Sequence, residues 1–220
     1  MSRELQNMRV KNIQKDLIAM SSLVEKQLYE SMLCLKNYDL DKIEVVIKND
    51  DAVDNMQKKI EDECVKFIAT EQPLASDLRR VFAASKIVTD LERMADHAVD
   101  ICKLTKKIGR NLSVFNGSLD ELWDMDQKVR SMIKASTDVY IKNDSDLAYK
   151  ICEEDDKVDK LCKSLFESTI KIIKEKEDLV NDGAQLLFII KYLERVADHV
   201  TNICEWTIFS KEGNYVDLNE

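Results

Sequence analysis

The sequence predicts an all-α fold: two tandem antiparallel three-helix bundles related by internal duplication. Three observations predict it. Turn-forming residues are scarce, with 4 Gly and 1 Pro in 220 residues, whereas an all-β or doubly wound α/β chain of this size needs many turns. Apolar residues recur at i, i+3 and i+4 almost throughout. The second half of the chain also repeats the first, and such self-similarity decides architecture before any single element does.

The elements follow in order. In the first helix Leu17, Met20, Val24, Leu28, Met32 and Leu35 form one apolar face. Asn37-Tyr38-Asp39 interrupts it, and Asp39 is placed to cap the next helix. The second helix carries Val46, Val53, Ile60 and Phe67 at seven-residue spacing and ends near Gln72-Pro73. The proline suits the first turn of a third helix. That helix runs to about Lys107, with Leu78, Phe82, Ile87, Leu91, Met94, Ala98 and Ile101 on one face. The segment 108–117 holds two of the four glycines and separates residues 1–110, a first three-helix repeat, from residues 111–220, a second. Ser118 and Glu121 fit a capping box for helix four. Helix four ends near Asn143-Asp144-Ser145, helix five near Glu177, and helix six runs from about Asn181 to Gly213. Six helices of about 25–35 residues are each roughly 40–50 Å long.

The duplication is visible residue by residue. At a shift of 105, Met20 falls on Met125, Val24 on Val129, Asp39 on Asp144 and Val53 on Val158. At a shift of 102, Leu91-Glu92-Arg93-Met94-Ala95-Asp96-His97 falls on Leu193-Glu194-Arg195-Val196-Ala197-Asp198-His199. Eight of the 13 residues from 90 to 102 are identical to their counterparts.

Four acid pairs at i,i+4 spacing occupy equivalent places in the halves: Asp50/Asp54 and Glu92/Asp96, then Asp155/Asp159 and Glu194/Asp198. Spacing alone is weak, since 42 acids in 220 positions give about eight such pairs by chance on helices. Like charges one turn apart cost a helix a few tenths of a kcal/mol, so retention in both halves calls for an offset. At 100° per residue, Glu92 and Asp96 lie about 100° and 140° from the centre of the apolar stripe, and Asp54 and Asp50 about 110° and 70°. Both pairs stand at the rims of their stripes. If helices two and three pack as neighbours, the rims meet and place four carboxylates together in each repeat. Hard oxygen donors suit Mg²⁺, Mn²⁺, Fe or Ca²⁺ better than copper or structural zinc. The expectation is one metal site per repeat, with Asp100 as an auxiliary ligand in the first half only, because its counterpart is Asn202. The two histidines, His97 and His199, point about 100° away from the acid each follows, which favours a supporting role over ligation. Arg93 and Arg195 read as ion-pair partners of nearby acids, and Arg79 and Arg80 as contacts to an acidic partner or as partners of Asp77.

Other classes are excluded by the same reading. A ferritin-like di-iron oxidase needs Glu-x-x-His, whereas His97 is five residues after Glu92. No P-loop, nucleophile elbow or catalytic constellation is present. The net charge of −9, from 42 acids and 33 bases, opposes binding to nucleic acid or to an anionic bilayer. Without a long apolar run or a signal-peptide core, the chain is expected to be soluble and cytoplasmic. Its six cysteines form no C-x-x-C motif and read as small buried hydrophobes.

Gln72-Pro73-Leu74-Ala75-Ser76-Asp77-Leu78-Arg79-Arg80, the segment Asp90 to His97, its second copy Leu193 to His199, and Val158-Asp159 on the preceding helix resemble the PhoU family of phosphate-specific transport system accessory proteins. The resemblance covers essentially the whole chain. It implies E(D)-x-x-x-D motifs at the four acid pairs, with divalent or iron-type metal ions (Mg, Mn, Fe or Zn) bound in some members. It implies a non-enzymatic negative regulator of phosphate uptake and of phosphate-starvation signalling. It further implies an adaptor linking the ATPase subunit of the phosphate ABC transporter to a sensor histidine kinase, often as a homodimer, and reaching the membrane only through these partners. Ala95 and Ala197 stand where the family often has Gly, and the second repeat lacks a Gln-Pro counterpart. The alternative reading is a metal-binding helical bundle with a storage or enzymatic role.

Overall fold

The computed structural model describes residues 3–115 and 119–218. The six helices are α1 (Arg3–Asn37), α2 (Leu40–Glu71), α3 (Ala75–Ile108), α4 (Leu119–Lys142), α5 (Ser145–Glu175) and α6 (Val180–Glu212), with 3₁₀ turns at Leu112–Phe115 and Glu177–Leu179. The described residues contain no strand. Ser118, the first half of the expected capping box, lies outside the described residues.

The duplication extends to the turns. Tyr38 and Asn143, 105 residues apart, both adopt left-handed backbone, with φ of 54° and 55°. Each is followed by an aspartate that caps the next helix. Asp39 Oδ1 accepts from Lys42 N at 3.0 Å, and Asp144 Oδ1 from Leu147 N at 3.1 Å. The α2–α3 turn differs from expectation. Gln72 takes the left-handed cap with φ 46°, and α3 begins only at Ala75. Pro73 thus separates the helices instead of occupying the first turn of α3, consistent with its missing N–H and fixed φ.

Every apolar residue expected to face inward from α1 and α2 is buried. On α3 the stripe begins later than expected: Leu78 is 40% exposed, Phe82 is half-buried, and full burial starts at Val81 and continues through Ile87, Leu91, Met94, Ala98 and Ile101. The repeats lie side by side, and one continuous core runs through both. α3 and α6 pack along each other at its centre, with α1 against α4 beside them. Alanines 83, 84, 95 and 98 of α3 and Ala197 of α6 are fully buried, and such small side chains let helix axes approach closely. The α1–α4 seam holds a buried hydrogen bond from Thr137 Oγ1 to Ser21 Oγ at 2.9 Å. All six cysteines are free, five of them buried and Cys152 half-buried. No helix among the described residues is long and apolar enough to cross a membrane.

Candidate metal centre

The acid pairs occupy the rims where α2 meets α3 and α5 meets α6. In the first repeat Asp50, Asp54, Glu92 and Asp96 are all half-buried. Burial raises the Asp50 carboxyl, as do the charges of Asp54 and Asp96, while a hydrogen bond from Gln27 Nε2 on α1 at 2.9 Å opposes the shift. Burial likewise raises Glu92, followed by the charge of Asp96, with further contributions from Asp54 and Asp50. The four carboxylates are therefore electrostatic neighbours across two helices, as the rim geometry requires. Asp100 is engaged elsewhere: Lys103 Nζ lies 2.9 Å from its Oδ1.

The second repeat reproduces the arrangement. Asp155 is pushed up to about 7, first by burial and then by Asp159, Asp198 and Glu194. Thr201 approaches it closely enough to favour the charged form, but makes no hydrogen bond of normal geometry, and the buried Asp155 Oδ1 is left without a partner. Asp198 and the more exposed Asp159 are also raised, in each case first by burial and then by Glu194. Lys191 Nζ pairs with Glu194 Oε2 at 2.5 Å.

Like charges gathered at a half-buried rim repel one another, and a divalent cation relieves that repulsion. The donor chemistry and the unpartnered Asp155 Oδ1 fit such an ion. Among the described residues, no three Asp, Glu, His or Cys side chains converge on one ion position.

The histidines turn to the seam between the repeats. His97 stacks on Tyr192 at 5.1 Å, with rings 23° apart, and lies 5.7 Å from His199. Burial pushes His97 down to about 4, assisted by His199. His199 Nδ1 lies 2.9 Å from Asp90 Oδ1, which also accepts from Asn202 Nδ2 at 3.0 Å. Asp90 was not among the expected site residues. It opens the segment Asp90 to His97 and breaks the duplication there, since its counterpart is Tyr192. Gln27, Thr201 and Lys191 were also unanticipated, because each reaches a carboxylate from outside the motif. Arg93 pairs with Asp96 at 3.4 Å and Glu92 at 3.7 Å. Asp77 pairs with Arg3 at 2.5 Å instead of with Arg79 or Arg80. Arg79 instead packs against Gly213.

A sequence profile of the PhoU domain matches residues 17–105 and 122–207. The chain is 44% identical over 221 residues, covering 100% of both sequences, to a protein of Clostridium acetobutylicum named phosphate-specific transport system accessory protein PhoU homolog. Among solved structures, the phosphate transport system regulatory protein PhoU from Streptococcus pneumoniae superposes with a TM-score of 0.88 at 27% identity, covering 96% of this chain and 99% of that one. PhoU from Pseudomonas aeruginosa gives 0.85 at 28% identity, covering 94% and 99%. With two matched domains, a full-length relative and a shared six-helix architecture, the chain belongs to the PhoU family.

Proposed function

We propose that this chain is a non-enzymatic negative regulator of phosphate uptake and of phosphate-starvation signalling. It acts as an adaptor between the ATPase subunit of a phosphate ABC transporter and a sensor histidine kinase. The observation that carries this reading is the full-length match to a phosphate-specific transport system accessory protein homolog at 44% identity. Long helical faces without a catalytic constellation support it. Exposed Val65, Leu74 and Phe188 at 65%, 65% and 57% leave apolar side chains on the outer helical surfaces, of the kind protein contacts use.

The carboxylate clusters are the cation sites of this regulator. Asp50, Asp54, Glu92 and Asp96 hold one ion, and Asp155, Asp159, Glu194 and Asp198 hold the other. Either ion neutralises its cluster and draws two helices together. The protein works in the cytoplasm as a homodimer and reaches the membrane through its partners. The test is a pull-down from cells grown at high and low phosphate. The transporter ATPase or the sensor kinase is recovered, more at high phosphate. Recovery of neither at both levels contradicts the proposal.

A further inference from the structure

The segment that follows α6 folds back onto the bundle. It turns at Gly213, whose φ of 83° is left-handed and whose N–H donates to Phe209 O at 2.9 Å. Residues 214–218 have no regular secondary structure and run back along α6. Tyr215 stacks on Phe209 with ring centroids 4.4 Å apart and planes 23° from parallel, and meets Trp206 edge-on at 5.9 Å. Leu218 N donates to Glu205 Oε1 at 2.7 Å, and Val216 and Leu218 pack half-buried against the core.

The surface beneath this strap is aromatic. Phe82 of α3 stands 6.0 Å from Trp206 and 6.1 Å from Phe209, and Trp206 stands 5.9 Å from Phe209, all edge to face. Lys86 Nζ lies over the rings of Phe82 and Trp206 at 5.6 and 6.0 Å. The duplication does not account for this patch. At a shift of 102, the counterparts of Phe82, Trp206 and Phe209 are Ala184, Leu104 and Lys107, so the equivalent places carry no ring. The strap is also lightly held. Tyr215 stays 69% exposed although its ring is stacked, so little apolar burial opposes its release.

We propose that this aromatic face of α3 and α6 is a recognition groove for an extended segment of a partner protein, and that residues 214–218 are its resident occupant, which the partner displaces. The chain's own segment shows the chemistry that fits. It offers an aromatic side chain to stack on Phe209, aliphatic side chains one and three residues later, and a backbone N–H for Glu205. A tethered occupant presents itself at about millimolar effective concentration, so a partner segment must bind well enough to overcome it, and weak chance contacts are refused. The groove uses none of the eight clustered carboxylates and stands apart from their reading as cation sites.

The test follows the fluorescence anisotropy of a labelled synthetic peptide, residues 213–218, titrated with full-length protein. Tyr215→Ala/Leu218→Ala in the protein releases the strap and should bind the peptide about tenfold more tightly than wild type. Tyr215→Ala alone, at an exposed position that leaves the helices intact, should shift affinity the same way by less. Changing the tyrosine of the peptide to alanine, or adding Trp206→Ala to the released protein, should abolish binding, with helical circular dichroism checking each variant. Equal affinity for wild type and both released variants, no binding to either variant, or binding that survives Trp206→Ala overturns the proposal. Sedimentation velocity is run alongside. A wild-type dimer that Tyr215→Ala/Leu218→Ala dissociates would make a second copy of this chain the occupant and overturn the assignment to a partner protein.

Discussion

Asp90 of the first repeat and His199 of the second meet across the α3–α6 seam at 2.9 Å. The carboxylate accepts from His199 Nδ1 and from Asn202 at once, and only 9% of the Asp90 residue is exposed. This polar tie joins the two repeats across the seam between α3 and α6. Asp90→Ala leaves two donors at the seam without their acceptor and should lower stability by about 1–3 kcal/mol. Equilibrium urea unfolding measures it, with Asp100→Ala as the comparison. Asp100 makes only a partly exposed pair with Lys103, so its loss should cost less than about 1 kcal/mol. Equal effects would deny the tie its role.

The paired turns predict paired responses. Asp39 and Asp144 cap α2 and α5 with side-chain bonds of 3.0 and 3.1 Å. Asp39→Ala and Asp144→Ala should each cost about 1 kcal/mol, and the two losses should add because the turns share no contact. Thermal or urea unfolding of the single and double variants checks this.

The fold was legible because its signals are local. Asp39 announces a cap, Asp144 falls on it at a shift of 105, and the i, i+3, i+4 pattern needs no knowledge of partners. The nearness of Asp50 to Glu92 was legible only on the condition that α2 and α3 pack as neighbours, which they do. What escaped depends on the contact between repeats. Asp90 and His199 lie 109 residues apart, and nothing local says that α3 lies along α6. Leu78 was expected inside, but in the first turn of α3 it is 40% exposed. Lys191 reaches Glu194 at 2.5 Å through a long side chain whose direction no spacing announces.

The acid clusters carry a pH dependence. In metal-free protein Asp155 is raised from 3.8 to about 7. Between those values the folded chain holds a proton that the unfolded chain has lost, so this group's contribution to stability falls as pH rises through the window. His97 acts in the opposite sense. Lowered from 6.5 to about 4, it stays neutral while the unfolded chain binds a proton, so its contribution falls as pH drops from about 6.5 to about 4. The two slopes oppose in the wild type and separate in variants. Asp155→Asn should stabilise metal-free protein by about 1–2 kcal/mol near pH 8, after allowance for solvent screening of a partly exposed group, and by little near pH 4. Urea unfolding with chelator present at the two pH values measures the difference. A gain independent of pH would mean that Asp155 is not held protonated.

Metal content addresses the clusters as a set. Protein purified without chelator should carry divalent or iron-type metal by elemental analysis. A variant with Glu92, Asp96, Glu194 and Asp198 all changed to Ala should carry much less. Equal content in the two proteins would place any bound metal elsewhere.

The regulatory claim is tested most directly by a phosphate-responsive reporter in a strain lacking this gene. The account predicts that reporter expression stays high in phosphate-rich medium without the gene and that the intact gene restores repression. Expression that responds to phosphate equally with and without the gene would contradict it.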